Sequence, residues 1–220
     1  MLTADRLLGT VVLLKAVDVA LRGPQSLPGP LWATVLGLWV LAGTTLLTGR
    51  RPRPAWIAVV VAGAALAADY PLELRRQHLV LLIGLAVGAA VAADERERLL
   101  LWRVQLTALY GVAALAKLNE SFLGGDVLAV TFLTGPLEVL PPPVPLVLAG
   151  LVLVTTEAAL AVLLWQPAHR RTSVVLAVGL HGTALLVASA SPLVGLRLVV
   201  FGGAAVIACA ACAGLLPRAR

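Results

Sequence analysis

Apolar residues fall into long stretches that are separated by short clusters of arginine, proline and glycine. Eight such stretches occur, at 5–22, 31–48, 55–69, 78–93, 99–118, 144–165, 172–190 and 196–216. Backbone groups in lipid must be hydrogen-bonded within the chain, and the stretches lack the alternation of barrel strands, so we expect helices. The pattern predicts an all-α, polytopic transmembrane helix bundle of about eight spans. The third stretch is short enough for a re-entrant or tilted helix.

The composition agrees with a protein embedded in lipid. Of 220 residues, 60% are hydrophobic and 13% are charged, and the mean hydropathy is +0.97. The charged share is half of the roughly 25% typical of soluble proteins, which excludes a water-soluble globule, a disordered chain and a disulfide-framed secreted domain. The net charge of +6 includes no basic stripe interleaved with aromatics. We therefore expect the lipid bilayer, and no nucleic acid, as a partner.

The chain is expected to form one domain. No internal repeat and no low-complexity linker divides residues 1–220. The first stretch is not a cleavable signal peptide, because Asp5, Lys15 and Asp18 interrupt it.

Arginine is distributed unequally between the two sides of an eight-span arrangement. Eleven arginines fall on one side and four on the other. The positive-inside rule then places both termini in the cytoplasm. The segment 119–143, which has three acids and no basic residue, would lie outside. Tryptophans at predicted span ends are expected to anchor the interfaces; they are Trp32, Trp56, Trp102 and Trp165.

A few ionisable side chains fall within predicted spans, where a charge costs on the order of 2.5–3.5 kcal/mol and suggests a function. They are Lys15, Asp18, Lys117, Glu157 and His181. Lys15, Asp18 and Arg22 share one helix face through spacings of three and four. They would form either a neutralising ion-pair ladder or a contact to a ligand.

Lys117 has Tyr110, Ala113 and Ala114 on its own helix face, and Glu120 lies three residues outward. An amine in such apolar surroundings could serve as a general base, and the alternative is a lysine that snorkels to the outer interface. His78 lies at the mouth of the fourth stretch, where a solvated helix-end histidine is the simpler interpretation.

Glu157 and His181 lie near the middle of the sixth and seventh spans, so neighbouring helices could pair them. Such a pair would serve either helix packing or ligand binding. Cys209 and Cys212 form a C-x-x-C whose redox function needs an accessible thiol, whereas their small neighbours favour packing. No metal-ligand cluster, P-loop or nucleophile-elbow motif occurs in the sequence, so no metal is expected.

The stretch from Gln105 to Gly125 resembles the membrane domain of vitamin K-dependent gamma-glutamyl carboxylases, also called the horizontally transferred transmembrane (HTTM) domain. The family pattern is a tyrosine, small residues, a lysine, an aromatic and a glycine, which match Tyr110, Ala113, Lys117, Leu118, Phe122 and Gly125. Further similarities follow the family's order along nearly the whole chain; they are Arg6 to Gly9, Asp18, Arg22-Gly23, Gln77-His78, Glu157, Arg170-Arg171 and His181.

This resemblance implies a lyase-type enzyme that uses reduced vitamin K or menaquinol with oxygen and carbon dioxide. The family's lysine deprotonates the hydroquinone, and oxygen converts the hydroquinone to a strong base that removes a γ-proton from a glutamate. The carbanion then takes up carbon dioxide, and the quinone leaves as an epoxide. By this resemblance Lys117 and His78 would be catalytic, and Tyr110, Glu157 and His181 would line or brace the quinone pocket, at the outer membrane face.

One part of the family architecture has no counterpart. The carboxylases carry a large soluble C-terminal region that binds the substrate, and this sequence ends at Arg220. A peptide or protein substrate would then bind the segment 119–143 or a separate substrate-binding subunit.

Two other functions remain compatible with the sequence. The first is a DoxX-like oxidoreductase subunit that passes electrons to quinone, for which Cys209 or a partner thiol would matter. The second is a non-catalytic membrane scaffold or carrier. Near-complete use of arginine in place of lysine, with abundant alanine and valine, is typical of a high-GC bacterial source. The expected location is therefore the bacterial cytoplasmic membrane.

Overall fold

The computed structural model describes residues 3–49, 52–69, 78–138, 140–189 and 191–217. These residues form ten α-helices, one short 3-10 turn at Pro167–His169 and no strand. The helices are α1 Ala4–Arg22, α2 Gly29–Thr48, α3 Pro52–Asp69, α4 His78–Val91, α5 Glu95–Ala116, α6 Glu120–Leu123, α7 Asp126–Thr134, α8 Pro143–Leu163, α9 Arg170–Ala188 and α10 Pro192–Cys212. The all-α prediction is confirmed.

The eight longest described helices coincide with the eight predicted stretches. Each helix begins and ends within about four residues of the predicted bounds, the usual uncertainty of helix ends. Two short helices, α6 and α7, lie in the segment 119–143, for which the sequence predicted no helix.

Among the described residues, five segments are long and apolar enough to cross a membrane. They are α2, α5, α8, α10 and the segment Pro167–Ala188 that contains α9. This finding indicates a multi-pass membrane protein, whereas the count of eight spans and the cytoplasmic termini stay predictions. α1 differs from these five because its five charged residues are spread along its 19 positions, whereas four of the five in α5 lie in its first turn, before the apolar stretch 99–116.

Local sequence explains where the helices begin. Asp94 Oδ1 accepts a hydrogen bond from Glu97 N at 2.8 Å, and Glu97 Oε2 accepts one from Ala93 N at 2.6 Å. This reciprocal cap starts α5 and satisfies amides that have no partner within the helix. α8 starts after a run of prolines, where the missing amide is no loss.

The helix α10 holds the bundle together, because it packs against α1, α4, α5 and α9. Its buried side is made of small residues, including Gly202, Ala204 and Ala208, which let neighbouring helices approach closely. The core of the bundle continues through α1 to α4 on one side and α8 and α9 on the other. Large apolar side chains on the outside, such as Leu41 and Leu186, are exposed, as expected of a surface that faces lipid.

The interface role predicted for two tryptophans is wrong. Trp56 and Trp102 are at most 1% exposed and lie inside the bundle. Trp56 Nε1 donates to Asp5 Oδ1 at 3.0 Å, and Trp102 Nε1 donates to the Leu85 carbonyl at 2.8 Å. Each indole N–H finds a partner inside, so the ring is not held at the membrane surface.

The first loop is anchored by the carboxylate that ends α3. Asp69 accepts hydrogen bonds from the backbone amides of Gln25, Ser26 and Leu27 and from the Ser26 hydroxyl, at 2.5 to 3.3 Å. The connection between α1 and α2 is therefore fixed by a residue more than 40 positions away.

Candidate functional site

Lys117 caps the C-terminal end of α5 and pairs with a residue of α8. Its Nζ atom lies 2.7 Å from both carboxylate oxygens of Glu157 and 3.3 Å from the Ala113 carbonyl oxygen. The side chain of Lys117 is 27% exposed and that of Glu157 is 10% exposed. The expectation of purely apolar surroundings for this amine is therefore wrong, because the acid comes from a neighbouring helix.

The ammonium group also lies near an aromatic ring. Lys117 Nζ is 5.8 Å from the ring centroid of Phe122, within the range of a cation–π contact. Phe122 belongs to the short helix α6, and its backbone amide donates to the capping Asn119 Oδ1 at 2.9 Å. Gly125, at φ +92°, then turns the chain into α7, where its backbone lies against Leu146 of α8.

His181 pairs with Tyr110 and not with Glu157, so the predicted Glu157–His181 pairing is wrong. The Tyr110 hydroxyl lies 2.9 Å from His181 Nε2, and the His181 and Phe201 rings are nearly perpendicular, with 5.2 Å between their centroids. Gly202 provides the space, since a Cβ atom there would lie 2.8 Å from His181 Cβ. Tyr110 is 2% exposed.

The two polar pairs lie along one face of α5. Tyr110 and Lys117 are seven residues apart, which places them two turns, or about 10 Å, apart along the helix axis. Each uses a different partner helix, α8 for Lys117 and α9 for Tyr110. Three helices therefore contribute polar groups to these two pairs.

A cavity of about 500 Å³ lies between α7, α8 and α9. Its wall is apolar apart from Thr131, Thr156 and Thr183. Lys117, Glu157 and Phe122 are not among the residues that line the cavity. The wall includes Thr156, which precedes Glu157 in α8, and Leu128, which packs in one cluster with Phe122. Its size and lining are those of a site for a largely apolar small molecule.

His78 is the first residue of α4, but its side chain lies outside the described residues. Its predicted position beside Lys117 stays a prediction. The preceding Gln77, which belongs to the same resemblance, lies outside them too.

Asp18 is the centre of a second buried charge cluster. Lys15 Nζ lies 2.7 Å and Arg22 Nη2 lies 2.6 Å from Asp18 Oδ2, as the spacing predicted. Arg197 of α10 adds a contact that the sequence did not predict, with Nε 3.0 Å from Asp18 Oδ1. The two residues are 179 positions apart in sequence, so no spacing pattern could predict this contact. The cluster joins α1 to α10, which favours the neutralising ion-pair ladder over a contact to a ligand.

Another buried pair was missed because both residues lie near predicted span ends. Arg98 Nη1 lies 2.8 and 3.0 Å from the two carboxylate oxygens of Asp5, and Asp5 is 2% exposed. Arg98 also pairs with Glu95. These contacts join the beginnings of α1 and α5. Counting arginines between the apolar stretches therefore did not distinguish the buried Arg98 from arginines in loops.

Both cysteines are free thiols, and both are buried. Cys212 Sγ donates to the Leu99 carbonyl oxygen at 3.6 Å. Burial favours the packing interpretation over a thiol that exchanges electrons with a partner. Within the described ranges, no group of three or more His, Cys, Asp or Glu side chains could hold a metal ion.

Comparison of the chain with family models, with curated proteins and with solved structures gives no match. The resemblance to the carboxylase membrane domain therefore remains a prediction from the motif around Lys117.

Proposed function

We propose that the protein is a quinol-dependent, carboxylase-like membrane enzyme in which Lys117 and Glu157 handle the reacting proton. The observation that carries this proposal is the 2.7 Å contact of Lys117 Nζ with Glu157 of α8, the helix that also forms part of the wall of an apolar cavity of about 500 Å³. An amine and a carboxylate in contact are suited to proton transfer with a bound substrate.

The residues around the cavity fit reduced vitamin K or menaquinol. The apolar walls of α8 and α9 suit a ring and an isoprenoid tail, and the few threonine hydroxyls suit a molecule with two oxygen atoms. When bound, the quinol supplies the reducing power for oxygen and, through that reaction, the strength needed to remove a carbon-bound proton.

Proton transfer within the pair prepares the base. When the Lys117 ammonium gives its proton to Glu157, the products are a neutral amine and a neutral acid, and the total charge of the site is unchanged. The amine can then accept one hydroxyl proton from the quinol and return to the ammonium form. Lysine suits this role, since arginine stays protonated.

Tyr110 and His181 would brace the far side of the site. Their mutual hydrogen bond fixes the imidazole beside Phe201, in the space that Gly202 leaves. The proposed substrate is a glutamate side chain, or a related carbon acid, that reaches the outer end of α5. Carbon dioxide would be added to it after proton removal.

The test uses the purified full chain with menaquinol and oxygen, and the product measured is menaquinone epoxide. Lys117→Arg is the decisive variant because arginine keeps the ion pair with Glu157 but cannot act as a base. We expect loss of epoxide with Lys117→Arg and with Lys117→Met. Glu120→Gln, three residues further along, is the control and should form epoxide at the wild-type rate.

Two results would contradict the proposal. One is epoxide formation by Lys117→Arg at the wild-type rate. The other is no epoxide from folded wild-type protein, whether or not a glutamate peptide and bicarbonate are supplied.

A further inference from the structure

A polar cavity lies at the other end of α5 from Lys117. It has a volume of about 130 Å³ and is enclosed by the beginning of α5, the beginning of α9 and the end of α10. A neighbouring cavity of about 250 Å³ shares Glu95, Leu99 and Arg103 with it and is also lined by Arg96. Neither cavity is used by the proposed reaction.

Arg103 lines both cavities. Its Nη2 atom donates to the Cys212 carbonyl oxygen at 2.7 Å. Its Nε atom is buried and has no hydrogen-bond partner among the described residues. A guanidinium carries five N–H donors, so Arg103, which lines both cavities, can donate to a bound anion as well as to Cys212.

Positive charge exceeds negative charge around the two cavities. Arg96, Arg103 and Arg170 line them, and Arg170 also lies beside Gly214, just past the end of α10. In the described part of the chain, Glu95 is the one carboxylate of the lining, and it is already paired with Arg98. Guanidinium groups in this arrangement bind phosphate through paired N–H donors.

The surface next to the arginines is apolar. Leu100 and Val104 follow Arg96 by four and eight residues on the same face of α5, and they are 46% and 51% exposed. Leu215, just past the end of α10, is 46% exposed. A molecule with a phosphate group at the arginines could therefore lay apolar chains along this face of the bundle.

We infer that the two neighbouring cavities lined by Arg96, Arg103 and Arg170 form one site, which binds the phosphate of an anionic membrane lipid, with the acyl chains along Leu100 and Val104. Basic pockets between helices at the membrane interface are typical sites for such head groups. The lipid source is favoured over a soluble phosphate because the apolar surface continues directly from the arginine cluster. The inference does not depend on the reaction proposed above.

The experiment measures lipid binding to the full chain in detergent by native mass spectrometry. The probes are dioleoylphosphatidylglycerol, dioleoylphosphatidylcholine and inorganic phosphate. We expect phosphatidylglycerol to bind more tightly than phosphatidylcholine. Arg103→Gln and Arg170→Gln should each weaken the binding of phosphatidylglycerol about fivefold. Arg171→Gln changes the next exposed arginine, which does not line the cavity, and should leave the affinity unchanged.

Arg170 is exposed at the first position of α9, so its variant tests binding even if Arg103→Gln fails to fold. Three results would overturn the inference. They are equal binding of both lipids, wild-type affinity for phosphatidylglycerol in Arg170→Gln, and arginine-dependent binding of inorganic phosphate without binding of the lipid.

Discussion

Lys117 Nζ lies 2.7 Å from both carboxylate oxygens of Glu157, although 40 residues separate the two in sequence. The contact joins the end of α5 to the middle of α8 through two opposite charges. A charged side chain without a partner of opposite charge is costly inside a helix bundle, so each of these two residues stabilises the charge of the other.

Removing one member of this pair should destabilise the fold more than removing both. We expect Glu157→Gln to lower the free energy of unfolding by about 2 kcal/mol, less than for a fully buried pair because Lys117 is partly exposed. The double variant Lys117→Met with Glu157→Leu should recover most of that loss. Thermal unfolding in detergent measures both, and Glu120→Gln is the exposed-acid control. Equal stability of the single and double variants would contradict an ion pair.

The space for His181 depends on one glycine. A Cβ atom at Gly202 would lie 2.8 Å from His181 Cβ, whereas at Gly203 it would lie 3.4 Å from a Val11 methyl group. We expect Gly202→Ala to lower the free energy of unfolding by about 1–3 kcal/mol and to shift the imidazole nitrogen resonances as the Tyr110 bond breaks. Gly203→Ala should be neutral or slightly stabilising, because alanine favours helix. Unchanged resonances in Gly202→Ala would show that the pair is not formed.

Asp69 should determine the order of the loop between α1 and α2. Because its carboxylate accepts four hydrogen bonds from Gln25, Ser26 and Leu27, we expect Asp69→Ala to cost about 2–3 kcal/mol. Proteolysis within 23–28 should become faster. Asp126→Ala, an exposed acid at the start of α7, is the control and should cost about 0.5 kcal/mol. Equal proteolysis of the two variants would rule out the anchor.

The two thiols should be unreactive in the folded protein. Cys209 and Cys212 are 0% and 3% exposed, so a charged, membrane-impermeant thiol reagent should label neither until the protein is unfolded. Gln166→Cys introduces a thiol at an exposed position after α8 and should be labelled at once. Mass spectrometry of the labelled peptides distinguishes the sites. Rapid labelling of Cys209 in the folded wild-type protein would favour a redox role.

The sequence by itself determined the eight longest described helices and the multi-pass membrane class, but not the short helices α6 and α7. In apolar stretches long enough to cross a bilayer, the helix is the conformation that satisfies the backbone hydrogen bonds within the chain. Prolines, glycines and capping acids mark where many of the helices begin or end. The spacing of Lys15, Asp18 and Arg22 was likewise sufficient to predict their contacts, because residues three and four apart share a helix face.

Only the tertiary structure decided which distant side chains meet. Periodicity describes one helix at a time, so it could not show that Glu157 contacts Lys117, that His181 contacts Tyr110, or that Arg197 contacts Asp18. Helix rotation and crossing are set by close packing at small residues such as Gly202, and a rotation of one residue position would turn these groups toward other neighbours. The same packing buries Trp56, which the sequence pattern predicted at the membrane surface. Its indole N–H donates a hydrogen bond to Asp5 inside the bundle.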